Sequence, residues 1–394
     1  MVGSERRYQA FLDARGRDGL RRYLVEVAAR DGRVIRTGGR SYVNLASNDY
    51  LGLRFHEALI GRAREWAEIY GVGGGASRLV TGNLDLFVPI EAKIAKLKGK
   101  PAALIMASGF QTNAAVLQAL LDKSVLGAEP LVFADRLNHA SMHFGCQAAG
   151  ATQLRYRHCD AEHLGELLSQ YQGDSRPRFI LTESVFSMDG DLAPLKEIAE
   201  LARAHDAILV VDDAHATGIL GEEGRGLSGD ADIVIGTFSK ALGGFGGYVA
   251  STETMRDYLV NRCGGLIYST ALPPPVLGAI DAALDLVPFM DAERARVASL
   301  AMRFRAGASA INLDTGASTT QIVPIILGSP EAAVAMSGRL RQAGFWAVAI
   351  RPPTVPAGTA RLRLAFTAAH EESDIDRLLE VLAEEDTPRR ASAM

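Results

Sequence analysis
Short apolar runs recur through the middle of the chain, and each stops at a cluster of polar residues. Ala102–Met106, Leu131–Ala134, Arg178–Thr182, Ala207–Val211 and Ile233–Gly236 are brief, rich in aliphatic residues and bounded by turn formers, the pattern of buried strands. Between and before them, 56–70, 86–97 and 114–121 carry helical patterning. The alternation predicts a mostly parallel central sheet with helices on both faces. Upstream, Arg33 to Leu45 predicts a hairpin about Gly38-Gly39, and 1–30 reads as a polar amphipathic helix with Tyr8, Phe11 and Leu12 on one side. Downstream of Pro273-Pro274-Pro275, residues 276–312 read as helical. Then come a strand (320–327), a helix (330–343), a strand (345–350), a proline-rich loop (351–359), a strand (360–366) and a helix (373–385), an α+β arrangement. The alternation from Ala360 to Leu364 predicts a half-buried strand with Arg361 and Arg363 on its outer face. Asp386 to Met394 reads as a frayed polar end. The expectation is an α/β chain in three parts: an N-terminal helix-and-hairpin segment (1–45), a large domain (46–285) and a smaller C-terminal α+β domain (286–394).

The polar clusters fall just past the C-terminal ends of the strands, where open α/β sheets bind ligands. Ala207–Val211 ends in Asp212-Asp213-Ala214-His215, and Ile233–Gly236 ends in Thr237-Phe238-Ser239-Lys240 before a glycine cluster. An acid and a lysine at one sheet edge suit pyridoxal phosphate, whose aldehyde forms a Schiff base with lysine and whose pyridine nitrogen pairs with a carboxylate. A carboxylate ending an apolar strand is costly to bury unpaired. Asp212 fits this role and Asp213 is the alternative, because one of two adjacent strand-end residues points into the site. His215 could hydrogen-bond the ring hydroxyl oxygen. Ser108-Gly109-Phe110 stands where a strand hands over to a helix, and helix N-terminal amides bind phosphate. Thr237 and Ser239 could reach the same phosphate. His139 follows another strand, and its ring could stack on the cofactor. Arg351 precedes Pro352-Pro353, so its backbone is held extended, and a guanidinium so fixed suits a substrate carboxylate.

Several other chemistries are disfavoured. Charged residues make up 22% of 394 residues with a net charge of -4, which gives no support for nucleic acid or an anionic membrane as the partner. The three cysteines form no Cys-x-x-Cys pair, which favours a reducing compartment and no structural zinc. His139 and His143 lack the intervening glutamate of a His-Glu-x-x-His metal site, and the cluster His158-Cys159-Asp160-x-x-His163 reads as solvated surface, so no metal is expected. The glycine run 71–75 does not follow a strand and departs from dinucleotide spacing at Ala76. No apolar stretch approaches the ~20 residues of a membrane span. The charged start, without an apolar signal core, reads as unprocessed and cytoplasmic.

Taken together, seven segments resemble the α-oxoamine synthases, a family of fold-type-I pyridoxal-phosphate enzymes. They are Ser47-Asn48-Asp49-Tyr50-Leu51-Gly52, Ser108-Gly109-Phe110, Asn138-His139-Ala140-Ser141, Phe186-Ser187-Met188-Asp189-Gly190, Asp212-Asp213-Ala214-His215, Thr237-Phe238-Ser239-Lys240 and Tyr268-Ser269-Thr270. They run in family order over nearly the whole chain. The resemblance implies that Lys240 carries the cofactor, Asp212 meets its pyridine nitrogen, His139 its ring face, and His215 and Ser187 its ring oxygen. These imply a catalytic set of Lys240, His139, Asp212 and His215. Ser108, Gly109, Phe110, Thr237 and Ser239 would surround the phosphate, with Thr270 reaching it from the second subunit of a homodimer. Arg21, Asn48, Ser77, Arg351 and Thr354 form the implied substrate set. Within the family, the segments 350–363, 266–270 and 20–22 look like those of the biotin-pathway members, which condense L-alanine with a pimeloyl group carried on CoA or acyl carrier protein. Members using glycine or serine with another acyl-CoA are the alternative.

Overall fold
The computed structural model describes residues 4–29 and 31–384, so the expectation for 386–394 lies outside the described residues. The described chain divides into two compact units, residues 48–187 with 191–295, and residues 4–47 with 188–190 and 296–384.

The larger unit is built on a seven-stranded sheet. Its spatial order is Ala102–Met106, Gly247–Ser251, Ile233–Thr237, Ala207–Asp212, Arg178–Glu183, Leu131–Asp135 and Gln153–Tyr156. The last five run parallel, and Gly247–Ser251 is antiparallel to both of its neighbours. This mostly parallel α/β sheet is the predicted one, with two strands added. Gly247–Ser251 escaped prediction because its glycine-rich approach reads as loop. Its glycine has a steric cause: a Cβ on Gly247 would come 2.4 Å from the Thr112 hydroxyl of the helix packed against it. Gln153–Tyr156 lies at the sheet edge, is largely not buried, and lacks an apolar run. The core joins Met106, Val132, Phe179, Val210 and Ile235 from the strands to Val116, Leu117 and Leu120 on the buried face of the Gly109–Leu120 helix.

The smaller unit holds a three-stranded antiparallel sheet, ordered Ile322–Gly328, Ala360–Ala365, Val348–Ile350, and a four-stranded sheet containing the predicted hairpin Val34–Thr37 and Arg40–Asn44. The single strand expected over 345–350 is two. Phe345–Trp346 pairs with Arg40–Asn44, and Val348–Ile350 pairs with Ala360–Ala365. Phe304, Leu340, Phe345, Leu362, Leu364 and Phe366 form the core between them. Two expectations fail here. Arg361 and Arg363 are 3% and 8% exposed rather than solvated, and Arg361 is neutralised by Asp189 while also donating to the Met188 carbonyl. The N-terminal helix covers Glu5–Arg17 alone, and Tyr8 and Phe11 on it are 72% and 61% exposed. Among the described residues no helix is long and apolar enough to cross a membrane.

Candidate active site
The parallel strands of the larger unit deliver their terminal residues to one cavity. It is lined by Ser108, Gly109 and Phe110 from one connection, His139 from the next, and Asp212, His215, Thr237, Ser239 and Lys240 from the two central strands. The two consecutive aspartates separate as β-strand alternation requires. Asp212 lines the cavity, with Oδ2 accepting from Asn113 Nδ2 at 2.6 Å and Oδ1 from the Ala214 amide at 3.0 Å. Asp213 is turned to Lys98, whose Nζ lies 2.7 Å from its Oδ2, and also accepts from the Ser228 hydroxyl. Burial opposes a charge on Lys98, but the Asp213 carboxylate more than compensates and raises its pKa. Of the two acids, Asp212 is the one that lines the cavity.

His139 caps the helix Ala140–Ala148, with Nδ1 2.6 Å from the Ser141 hydroxyl. Its backbone amide donates to Glu183 Oε1 at 2.6 Å. Crowding by the protein and the nearby Lys240 push the His139 pKa down, against the pull of Asp212. Glu183 is buried at the end of its strand, and burial with the Asp212 charge raises it well above the usual carboxyl range. Asn113, Ser141 and Glu183 all line the cavity, and none was singled out from the sequence. Glu183 carried the one available signal, an acid at the end of an apolar strand. Tyr50 was missed too. Its hydroxyl lies 2.7 Å from His215 Nδ1 and 3.1 Å from Asn48 Oδ1, which ties Asn48 to His215.

A helix N-terminus forms another wall of the cavity. Ser108 is the N-cap of Gly109–Leu120, its hydroxyl accepting from the Gln111 amide, which satisfies one of the orphan donors of the first turn. A Cβ on Gly109 would stand 3.1 Å from Thr237 Cβ, so the helix start and the Thr237 turn are pressed together. Thr237 Oγ1 donates to the Gly246 carbonyl at 2.7 Å and lies 2.8 Å from Ser239 Oγ.

The remaining predicted residues lie elsewhere. Ser187 is half-buried and does not line this cavity. Ser77 and Thr270 are joined to each other by an antiparallel bridge, with Thr270 exposed. In the smaller unit, Arg21, Arg351 and Thr354 come together around one cavity that Leu24, Val25, Trp346 and Val348 make partly apolar. Arg22 donates to the Thr354 hydroxyl at 3.1 Å, and Arg351 donates to the Gly19 carbonyl. The His158 cluster is not solvated surface. His158 lies between Asp135 (3.0 Å) and Asp191 (2.9 Å), with its ring edge on Phe186. Burial alone would lower its pKa, but the two carboxylates drive it up to about 12.

This donor set fits pyridoxal phosphate. The buried Asp212 carboxylate shares a low-dielectric pocket with Lys240, and a protonated ring nitrogen would compensate its charge. A helix N-terminus with hydroxyls beside it supplies a phosphate cradle. The sequence profile of class I and II aminotransferases matches residues 40–382. The 8-amino-7-oxononanoate synthase of Gluconacetobacter diazotrophicus is 55% identical over 97% of this chain and 97% of its own. Among solved structures, a serine palmitoyltransferase from S. paucimobilis with a bound PLP–myriocin aldimine superposes with a TM-score of 0.88 at 27% identity, covering 97% of each chain. An 8-amino-7-oxononanoate synthase from Francisella tularensis gives 0.76 at 28% identity over 89% of this chain and 99% of that one. The chain therefore belongs to the class I and II aminotransferase family, and within it to the pyridoxal-phosphate-dependent α-oxoamine synthases.

Proposed function
We propose that this chain condenses L-alanine with a pimeloyl thioester, releasing carbon dioxide and free thiol and giving 8-amino-7-oxononanoate, a step of biotin synthesis. The observation that carries the reading is identity: 55% and 46% to 8-amino-7-oxononanoate synthases over more than nine-tenths of the chain.

Bound pyridoxal phosphate supplies an aldehyde that captures the amino acid and a ring that draws electrons from its α-carbon. The protein's part is to hold that ring and to move protons. Asp212, buried and supported by Asn113 and the Ala214 amide, keeps the ring nitrogen's proton in place. Lys240 holds the cofactor at rest, and its Nζ, once released, takes the α-proton of alanine and returns a proton after carbon dioxide leaves. His215, oriented by Tyr50, hydrogen-bonds the ring oxygen. Ser108, Gly109, Phe110, Thr237 and Ser239 hold the phosphate. His139 stacks on the ring and donates to the oxygen that gains charge as the acyl carbon is attacked. Arg351 and Asn48 take the alanine carboxylate. Arg21, Thr354 and Ser77 take the acyl donor, on CoA or acyl carrier protein. Thr270, exposed beside Tyr268 at 86% exposure, reaches the phosphate of a second copy in a homodimer.

The experiment is complementation: expression in a biotin auxotroph lacking 8-amino-7-oxononanoate synthase restores growth without biotin. Failure of a well-expressed, cofactor-loaded protein to restore growth contradicts the reading.

A further inference from the structure
The donors around His139 determine which ring nitrogen carries its proton. The Ser141 backbone N–H is directed at His139 Nδ1 over 3.3 Å, and a backbone amide donates but cannot accept. The Ser141 hydroxyl lies 2.6 Å from the same nitrogen. That hydroxyl in turn accepts from Asn113 Nδ2 at 3.0 Å. The orientation of the Asn113 amide follows from Asp212. Its NH₂ group stands 2.6 Å from Asp212 Oδ2, and a flipped amide would set a carbonyl oxygen against a carboxylate. Asn113 Oδ1 is accordingly the atom left buried without a hydrogen-bond partner among the described residues. With a lone pair of the Ser141 oxygen engaged by Asn113, its proton is directed to Nδ1.

We infer that Asn113 and Ser141 are positioning residues that hold His139 as the neutral Nε2–H tautomer, so that its proton faces the reacting oxygen. An Nδ1–H would oppose the Ser141 amide and force the hydroxyl to accept twice while its own proton lost its partner. The titratable groups facing the ring are Asp212, which favours an imidazolium, and Lys240 and His143, which oppose it. Glu183 engages the His139 backbone amide. The Asp212 carboxylate thus anchors both the cofactor nitrogen and, through two side chains, the proton on His139. The tautomer stands on geometry alone, and its catalytic use rests on the condensation proposed above.

The test is nitrogen–proton correlation NMR on ¹⁵N-histidine-labelled protein saturated with pyridoxal phosphate, without substrate, the His139 signals being assigned by their loss in His139→Asn. The wild type is expected to show one species, protonated at Nε2, throughout the neutral pH range. Ser141→Ala and Asn113→Ala are expected to show a mixture of tautomers and a ring that becomes cationic at higher pH than in the wild type, and Ser141→Thr to restore the single species. Protonation at Nδ1 in the wild type overturns the inference whether or not any variant folds. Folded Ser141→Ala and Asn113→Ala proteins with unchanged His139 signals overturn it as well. The expected tautomer in a protein inactive toward alanine and pimeloyl thioesters would overturn the proposed function and leave this relay standing.

Discussion
Lys98 Nζ lies 2.7 Å from Asp213 Oδ2, with the two side chains 1% and 0% exposed. The lysine also donates to Thr217 and to the Arg225 carbonyl, so the charge is fully coordinated inside the larger unit. This pair fixes Asp213 away from the cavity and so commits Asp212 to it. Lys98→Met leaves a buried carboxylate unpaired and should cost about 3–5 kcal/mol, read by urea denaturation of the holoprotein. Adding Asp213→Asn should recover part of that loss. An unchanged unfolding midpoint for Lys98→Met would show that the pair does not stabilise this strand end.

Asp212→Asn retains the shape of the site and removes its charge. The ring nitrogen would then lose the partner that keeps it protonated, and kcat should fall roughly 10²–10³-fold, the cost of removing one preorganised electrostatic partner. Lys240→Ala should abolish turnover and the visible absorbance of lysine-bound cofactor. A Lys240→Ala protein that keeps the wild-type absorbance would assign the attachment to another lysine.

His158 offers a stability test with a defined pH direction. Its pKa rises from 6.5 to about 12 in the folded protein, because Asp135 and Asp191 outweigh the cost of burial. A raised cation stabilises fully below its unfolded pKa, and the contribution is lost as pH climbs toward the folded value. The wild type should therefore exceed His158→Gln in stability by roughly 3 kcal/mol at pH 6, the lower end for a disrupted buried pair because one-fifth of the side chain is exposed. That margin should shrink by pH 9. A margin that widens with pH would reverse the assignment of charge.

Gly109 has room for a Cβ only if Thr237 gives way, since the added atom would meet its Cβ at 3.1 Å and its Oγ1 at 3.3 Å. Gly109→Ala should weaken cofactor binding severalfold, measured by titrating apoprotein with pyridoxal phosphate, while the unfolding midpoint without cofactor changes little. Equal affinity in the two proteins would remove the Thr237 turn from the phosphate site.

Much of this site was legible because chemistry and pattern coincide. Asp212 and Lys240 follow apolar strands, and Ser108-Gly109-Phe110 marks a strand-to-helix turn, so local sequence announces both their place and their role. Asn113 and Ser141 have no such signal. One is a helix-interior amide, the other a common hydroxyl 28 positions away, and their function lies in a contact with Asp212 that is 99 positions from Asn113. Arg361 misled for a related reason. Alternation places it on one strand face, but whether that face meets water depends on Asp189, 172 residues earlier in the chain. The Gly247–Ser251 strand was hidden because glycine there answers a tertiary demand, close passage of Thr112, and weakens the strand pattern that would have revealed it.

The most direct measurement of the central claim is thiol release by the purified, cofactor-loaded protein, with L-alanine, glycine and L-serine each paired with pimeloyl-CoA, acetyl-CoA and palmitoyl-CoA. The account predicts that L-alanine with pimeloyl-CoA is turned over with the highest kcat/KM and yields 8-amino-7-oxononanoate by mass spectrometry. Activity confined to glycine or L-serine, or highest with acetyl-CoA or palmitoyl-CoA, would contradict it.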